Sequence, residues 1–237
     1  NWYFDQYGRQ EGGIGLKRAI TRSNDIFFYK VGEWLGVDDL VVWAKKFGFG
    51  QATGLDWPGE ANGLLPDPLE KERRTGERWF LGNTYHLAIG QGDLLATPLQ
   101  INMMTAAVLT GKKCVPRLRL DGESACVDLG TKASNRQLIF EGMRGACAVG
   151  GPAFPFFDFP IPIICKTGTA QHGGEKTLPH AWISVVVPAI RDSGEYVEAD
   201  YEKGVVISVM LEEAGEGSYE AGPVARAIAE FVINRRY

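Results

Sequence analysis

Apolar residues recur along the first half of the chain at helical spacing, and the last third gathers them into short continuous runs. Leu16, Ala19, Ile20 and Ser23 follow the i, i+3, i+4, i+7 spacing, which predicts a short helix with Ser23 on its inward stripe. A second helix is predicted from Asn24 or Asp25, both good caps, with Phe27, Val31, Trp34 and Leu35 on one face and Gly36 as its stop. A third runs from about Asp38 through Leu40, Trp43 and Phe47 to Gly48. Residues 50–88, crowded with glycine, proline and charge, read mostly as loop. Pro98 to Leu109 follows as a helix with proline in its first turn, and another covers about Asn135 to Ala148.

The period then changes. Ile161 to Ala170, Ala181 to Val187 and Val205 to Leu211 are short, β-branched runs between turn residues. The second and third are almost continuously apolar, as strands covered on both faces are. Pro188 to Lys203 reads as a polar connection, and Pro223 opens a final helix with the stripe Val224, Ala227, Ile228, Phe231 and Val232. The predicted class is α+β: a mainly helical lobe over residues 1–150, then an antiparallel sheet with a C-terminal helix packed on it over 151–237.

Composition removes several functions. The 237 residues carry a formal net charge of −4, without the clustered basic face that nucleic acid requires, so no nucleic-acid partner is expected. The basic residues Lys71, Arg73, Arg74 and Arg78 are interrupted by Glu70, Glu72 and Glu77 and read as a solvated loop. No apolar stretch reaches the roughly 18 residues of a membrane span, and no signal-peptide pattern opens the sequence. Asn1 is not a start methionine, and the sequence reads as a piece of something longer. Cys114, Cys126, Cys147 and Cys165 show no CxxC spacing and no accompanying histidine pattern, so neither zinc nor any other metal or cofactor is expected. Four is an even number and allows a disulfide, but the spacing is irregular, so unpaired, partly buried thiols are the expected state, and the redox compartment stays open.

Two local patterns carry chemistry. Lys166-Thr167-Gly168-Thr169-Ala170 leaves a predicted strand and enters the run Gln171 to Gly174. A lysine within an apolar strand is costly unless a partner holds it or a cleft solvates it. Thr167 and Thr169, two apart, point the same way, and Gly168 lets a ligand or another backbone approach. The set offers a cation and two hydroxyls beside a strand edge, suited to a carboxylate; a strand end with a snorkelling lysine has the same residues. Ser23-Asn24-Asp25 lies at a helix junction, where all three residue types also serve as plain caps. A Ser-x-Asn/Asp turn in a helical lobe followed far downstream by a Lys-Thr-Gly strand is the pairing found in penicillin-binding proteins and related β-lactamases.

On those motifs the chain resembles the transpeptidase domain of class B penicillin-binding proteins of the elongation type. Ser23-Asn24-Asp25 with Ile26-Phe27-Phe28-Tyr29 is similar to the second family motif. Phe47-Gly48-Phe49-Gly50 through Thr53-Gly54-Leu55-Asp56, then Ala88-Ile89-Gly90-Gln91-Gly92 with Thr97-Pro98-Leu99-Gln100, follow in family order. Gly142-Met143 before Gly150-Gly151, and His180-Ala181-Trp182 after the Lys-Thr-Gly strand, extend the match over nearly the whole chain. Two positions depart from the pattern: Asp25 stands where many relatives have asparagine, and Cys165 where glycine is common.

The resemblance implies a penicillin-binding transpeptidase/β-lactamase-like fold, incomplete at its N-terminus. No Ser-x-x-Lys occurs in the sequence, and the family's nucleophilic serine sits upstream of the Ser-x-Asn/Asp turn. The implied activity is a D,D-transpeptidase that cross-links peptidoglycan stem peptides through a serine acyl-enzyme. Ser23 and Lys166 take the catalytic positions and Asp25, Thr167, Gly168 and Thr169 the substrate-binding ones. The implied partners are stem peptides, β-lactam antibiotics, the missing N-terminal part of the domain, and a polymerase with its elongation complex. The implied location is the extracytoplasmic face of the bacterial inner membrane, anchored by an N-terminal segment. A β-lactamase of the same fold and a non-catalytic β-lactam-binding or scaffolding module are the competing readings.

Overall fold

The computed structural model describes residues 8–119, 123–174, 176–192 and 197–236; the reading of the chain start from Asn1 lies outside them. Helices α1 (Leu16–Arg22), α2 (Asp25–Phe47), α3 (Pro68–Thr75), α4 (Leu81–Ala88) and α5 (Pro98–Thr110) come first. Strands β1 (Lys112–Cys114) and β2 (Cys126–Asp128) and helix α6 (Ala133–Ala146) follow. Strands β3 (Ile164–Ala170), β4 (His180–Asp192) and β5 (Val197–Leu211) precede the final helix α7 (Gly222–Arg236). The α+β class is as expected. The described residues fall into two compact units: one holds residues 24–107, 111–119 and 123–131, the other 8–23, 108–110, 132–174, 176–192 and 197–236.

In the first unit, α2 is two helices joined at Gly36, whose left-handed φ of 75° breaks the run where a stop was expected. Its packed side carries Tyr29, which meets Tyr85 of α4 at 5.4 Å, and the buried Gly32. Trp34 and Leu35, expected on the inward face, are exposed instead. Residues 50–88 contain two helices where mostly loop was expected. Asp67 caps α3 by accepting from the Glu70 N–H at 2.8 Å, and Pro68 sits in the first turn, where its missing N–H costs nothing. Of the charges read as a solvated loop, Glu70, Lys71, Glu72, Arg73 and Arg74 lie on α3, where Arg74 pairs with Glu70 at 2.8 Å, and Glu77 and Arg78 lie in the loop after it. Lys71 is buried and reaches Asn83 Oδ1 at 3.2 Å. β1 and β2 form a small antiparallel hairpin whose register partners Cys114 and Cys126 are disulfide-bonded, so these two are not free thiols.

In the second unit, β3, β4 and β5 form an antiparallel sheet in that order. β4 and β5 run further than expected, through much of the supposed polar connection, of which 193–196 lie outside the described residues. Pro188 has no N–H to give to a ladder, and the register shifts between Val187 and Ala189 around it. One face of the sheet, with Cys165, Ala181, Ile183, Val185, Val187, Ile207 and Val209, packs on Ala225 and Ala229 of α7 and on Phe156. Each such aliphatic side chain stabilises the fold by about 1.5–3 kcal/mol relative to exposure. The stripe expected on the last helix has the right period and the wrong phase. Val224, Ile228 and Phe231 face outward, 40–58% exposed, while Val232 faces in as expected, beside Ala225 and Ala229, which the stripe had left out. Small alanines let the helix close on strands that are already apolar, so its larger residues do not mark the buried side. Among the described residues no helix is long and apolar enough to cross a membrane.

Candidate active site

Ser23 follows the last residue of α1 with a left-handed backbone (φ 52°, ψ 53°), and its N–H donates to Ile20 O at 3.1 Å. That conformation turns the chain out of α1. The next helix is capped by Asn24, not by Ser23: the buried Asn24 Oδ1 accepts from the Phe27 N–H at 2.9 Å. The plain capping role available to the Ser-Asn-Asp triplet is therefore filled by its middle residue, and the serine hydroxyl serves another partner.

That partner is Lys166. Its Nζ donates to Ser23 Oγ at 2.7 Å and to Thr167 O at 2.8 Å in a half-buried position. The lysine thus does not snorkel to water; it meets a hydroxyl 143 residues away in sequence. Charge-assisted hydrogen bonds of this kind are roughly twice as strong as neutral ones. Both residues lie in the second unit.

α6 sets the serine side. α1 lies against it at Gly142 and Gly145, where the absence of side chains permits the approach: a Cβ on Gly142 would come within 2.6 Å of Ile20 Cβ, and one on Gly145 would overlap the Thr21 hydroxyl. Thr21 Oγ1 donates to Gly142 O at 3.1 Å. Arg22 was not singled out by sequence. It is buried, bonds Gly150 O, and pairs with Glu11 at 2.8 Å, which ties the turn after α6 to the residue before Ser23. A basic residue in a last helical turn is too common a pattern to have marked it.

β3 sets the lysine side. Its register with β4 pairs Lys166 with Ser184, Thr167 with Ile183, Gly168 with Trp182 and Thr169 with Ala181. Strand alternation puts Lys166 and Gly168 on one face and Thr167 and Thr169 on the other. The cation and the hydroxyls therefore share a strand edge rather than a face. Thr169 Oγ1 accepts from the Gly217 N–H at 3.4 Å. Gly168 is closely covered, since a Cβ there would lie 3.2 Å from Trp182 Cβ. Among the described strands β3 pairs only with β4. Asp25 is the first residue of α2, exposed, where a carboxylate suits a helix N-terminus; it belongs to the first unit. Cys147 and Cys165 are disulfide-bonded, contrary to the expected free thiols, because the end of α6 lies against β3.

The family model for the penicillin binding protein transpeptidase domain matches residues 1–230. The peptidoglycan D,D-transpeptidase MrdA of Haemophilus influenzae is 32% identical over 95% of the chain. Among solved structures, the complex between penicillin-binding protein PBP2 and MreC from Helicobacter pylori superposes with a TM-score of 0.80 at 31% identity, covering 94% of this chain and 40% of that one. Pseudomonas aeruginosa PBP2 in complex with WCK 5153 gives 0.76 at 30% identity, covering 92% of this chain and 47% of that one. The chain spans 37% of the length of the Haemophilus relative and 40% of a Salmonella typhimurium one. With the Ser23–Lys166 contact and the sheet that carries it, these likenesses place the chain in the penicillin-binding protein transpeptidase domain family, on its class B, elongation-type branch.

Proposed function

We propose that the whole protein is a peptidoglycan D,D-transpeptidase and that this chain supplies the proton-handling and carboxylate-binding part of its site. The observation that carries the reading is the 2.7 Å bond between Lys166 Nζ and Ser23 Oγ. The nucleophile is a serine from the family motif upstream of Ser23. Its oxygen attacks the peptide carbonyl between the last two residues of a stem peptide. The carbon–nitrogen bond then breaks, and D-alanine leaves with a proton on its nitrogen. Ser23 delivers that proton and takes up in its place the one the attacking serine gives up, so it ends the step as a hydroxyl, and Lys166, bonded to its oxygen, holds it in place. An amine from a second stem attacks the resulting ester, releases the serine and completes the cross-link.

Thr167 and Thr169 bind the terminal carboxylate with Lys166 adding charge, Gly168 between them offers its backbone to the substrate, and Asp25 accepts from a substrate amide. The Thr169 N–H contributes to the oxyanion hole, where losing one donor typically costs about 3–4 kcal/mol. The edge of β3 away from β4 suits a stem peptide added as a further strand. β-Lactams acylate the same serine as substrate mimics. The relative solved with MreC supports an elongation-complex partner, and the two disulfides support an oxidising compartment, in keeping with the extracytoplasmic location that the family resemblance implies.

Labelling of the full-length protein with a fluorescent penicillin, followed by release of D-alanine from a pentapeptide stem, tests the reading. A covalent adduct with released D-alanine is expected. Absence of an adduct would overturn it in favour of a non-catalytic module, and rapid turnover of nitrocefin in favour of a β-lactamase.

A further inference from the structure

Both ends of the Ser23–Lys166 contact are referenced to α6. The serine end reaches it through the close packing of α1 on Gly142 and Gly145. The lysine end reaches it through a covalent bond: Cys147, the first residue past α6, is joined to Cys165, the residue before Lys166. Both cysteines are buried, at 5% and 0% exposure, within the core cluster beneath the sheet. We infer that the Cys147–Cys165 disulfide is a positioning element for Lys166, holding β3 at a set orientation against α6 so that the lysine amine meets the Ser23 hydroxyl.

The physical need for such a tie follows from the sheet. Among the described strands, β3 is held by a ladder on one side only. A ladder fixes register but leaves latitude in twist, which between neighbouring strands ranges over about −10 to −35°. An extended lysine carries its amine about 6 Å from the strand axis, so a 10° rotation of β3 displaces that amine by about 1 Å. A misplacement of that size can cost about 100-fold in rate. The bond acts one residue from Lys166, where it limits such rotation most directly. Cys165 shares the core face with Val185, its register partner, while Lys166 leaves the opposite face. Anchoring the one side chain in the core thus sets the direction of the other.

The inference rests on the acyl-transfer role proposed for Lys166, and its test keeps the two apart. In the full-length protein, Cys147→Ala with Cys165→Ala is compared with Cys114→Ala with Cys126→Ala, which removes the hairpin disulfide of the other unit. Acylation by a fluorescent penicillin is followed over a concentration series that separates the limiting rate from the half-saturating concentration. The first pair is expected to lower the limiting rate about 10- to 100-fold with half-saturation within about twofold, and the second to leave both at the parental values. Equal limiting rates in the two variants would overturn the inference. If the double alanine variant does not melt cooperatively, Cys147→Val with Cys165→Ala refills the vacated space and is read in the same way. Failure of that variant to fold would also overturn the inference, since the bond would then be a staple of the fold. A parent protein that takes up no penicillin would sink the acyl-transfer reading alone. Amide hydrogen exchange over residues 164–170 then decides: faster exchange in the variant supports the tie, and unchanged exchange overturns it.

Discussion

Replacing Ser23 by glycine and, separately, by alanine divides its backbone role from its hydroxyl. Both variants lose the 2.7 Å bond from Lys166, so that loss cancels between them. What remains is the left-handed backbone at φ 52°. An L-residue there costs about 1–2 kcal/mol, whereas glycine escapes the strain but gives up about 0.5–1 kcal/mol in extra chain entropy on folding. The glycine variant is therefore expected to be the more stable by about 0.5–1 kcal/mol, which for a chain of this size is a melting difference of about 1–4 °C. Function follows the other property. A charge-assisted hydrogen bond contributes about 1.5–3 kcal/mol, so both variants are expected to acylate about 10- to 150-fold more slowly than the parent. The assays are thermal and urea melts beside fluorescent-penicillin uptake by the full-length protein. An alanine variant as stable as the glycine one would refute the backbone reasoning, and parental acylation in either would refute the role of the hydroxyl.

Lys166→Ala removes both bonds of the amine and is expected to slow penicillin acylation about 100- to 1,000-fold, or about 3–4 kcal/mol, with a melting temperature within a few degrees of the parent; undiminished labelling would count against it. Asn24→Ala deletes the cap of α2 and is expected to cost about 1 kcal/mol, read as a lower midpoint in urea. Glu141 on α6 is held below the ordinary glutamate range first by its hydrogen bond to Lys17 on α1 and then by Gln137. Its folded pKa is depressed, so its contribution to stability is present above the unfolded value and is lost as pH falls through the folded one. Lys17→Met should return the Glu141 titration, followed by NMR, toward the ordinary range.

Much of the fold was legible where period and punctuation agree. Gly36 and Gly48 ended the helices they were expected to end, and the three apolar runs became the three strands of the sheet. The misses share a cause: a local signal whose meaning depends on the neighbour. Pro68 reads as a loop breaker, yet behind the Asp67 cap it opens a helix. Val224, Ile228 and Phe231 have the helical period, but the partner surface is filled by β4 and β5 side chains and takes Ala225, Ala229 and Val232 instead. The polar segment after Pro188 looked like a connection because it carries no continuous apolar run. Cysteine spacing along the chain carries no information on pairing across a hairpin or between a helix end and a strand, so both disulfides were invisible. Ser23 and Lys166 were legible as candidates, each with a plain structural alternative; what no local pattern could supply was that Asn24 takes the cap and frees the serine for the lysine.

A double-mutant cycle on acylation of the full-length protein asks most directly whether Ser23 and Lys166 act as one unit. Residues joined in a single proton-handling pair are strongly non-additive. Ser23→Ala with Lys166→Ala is expected to acylate no more slowly than the slower single variant. Rate losses that multiply in the double variant would mean that the two side chains act separately, and the 2.7 Å contact between them would then be a feature of packing alone.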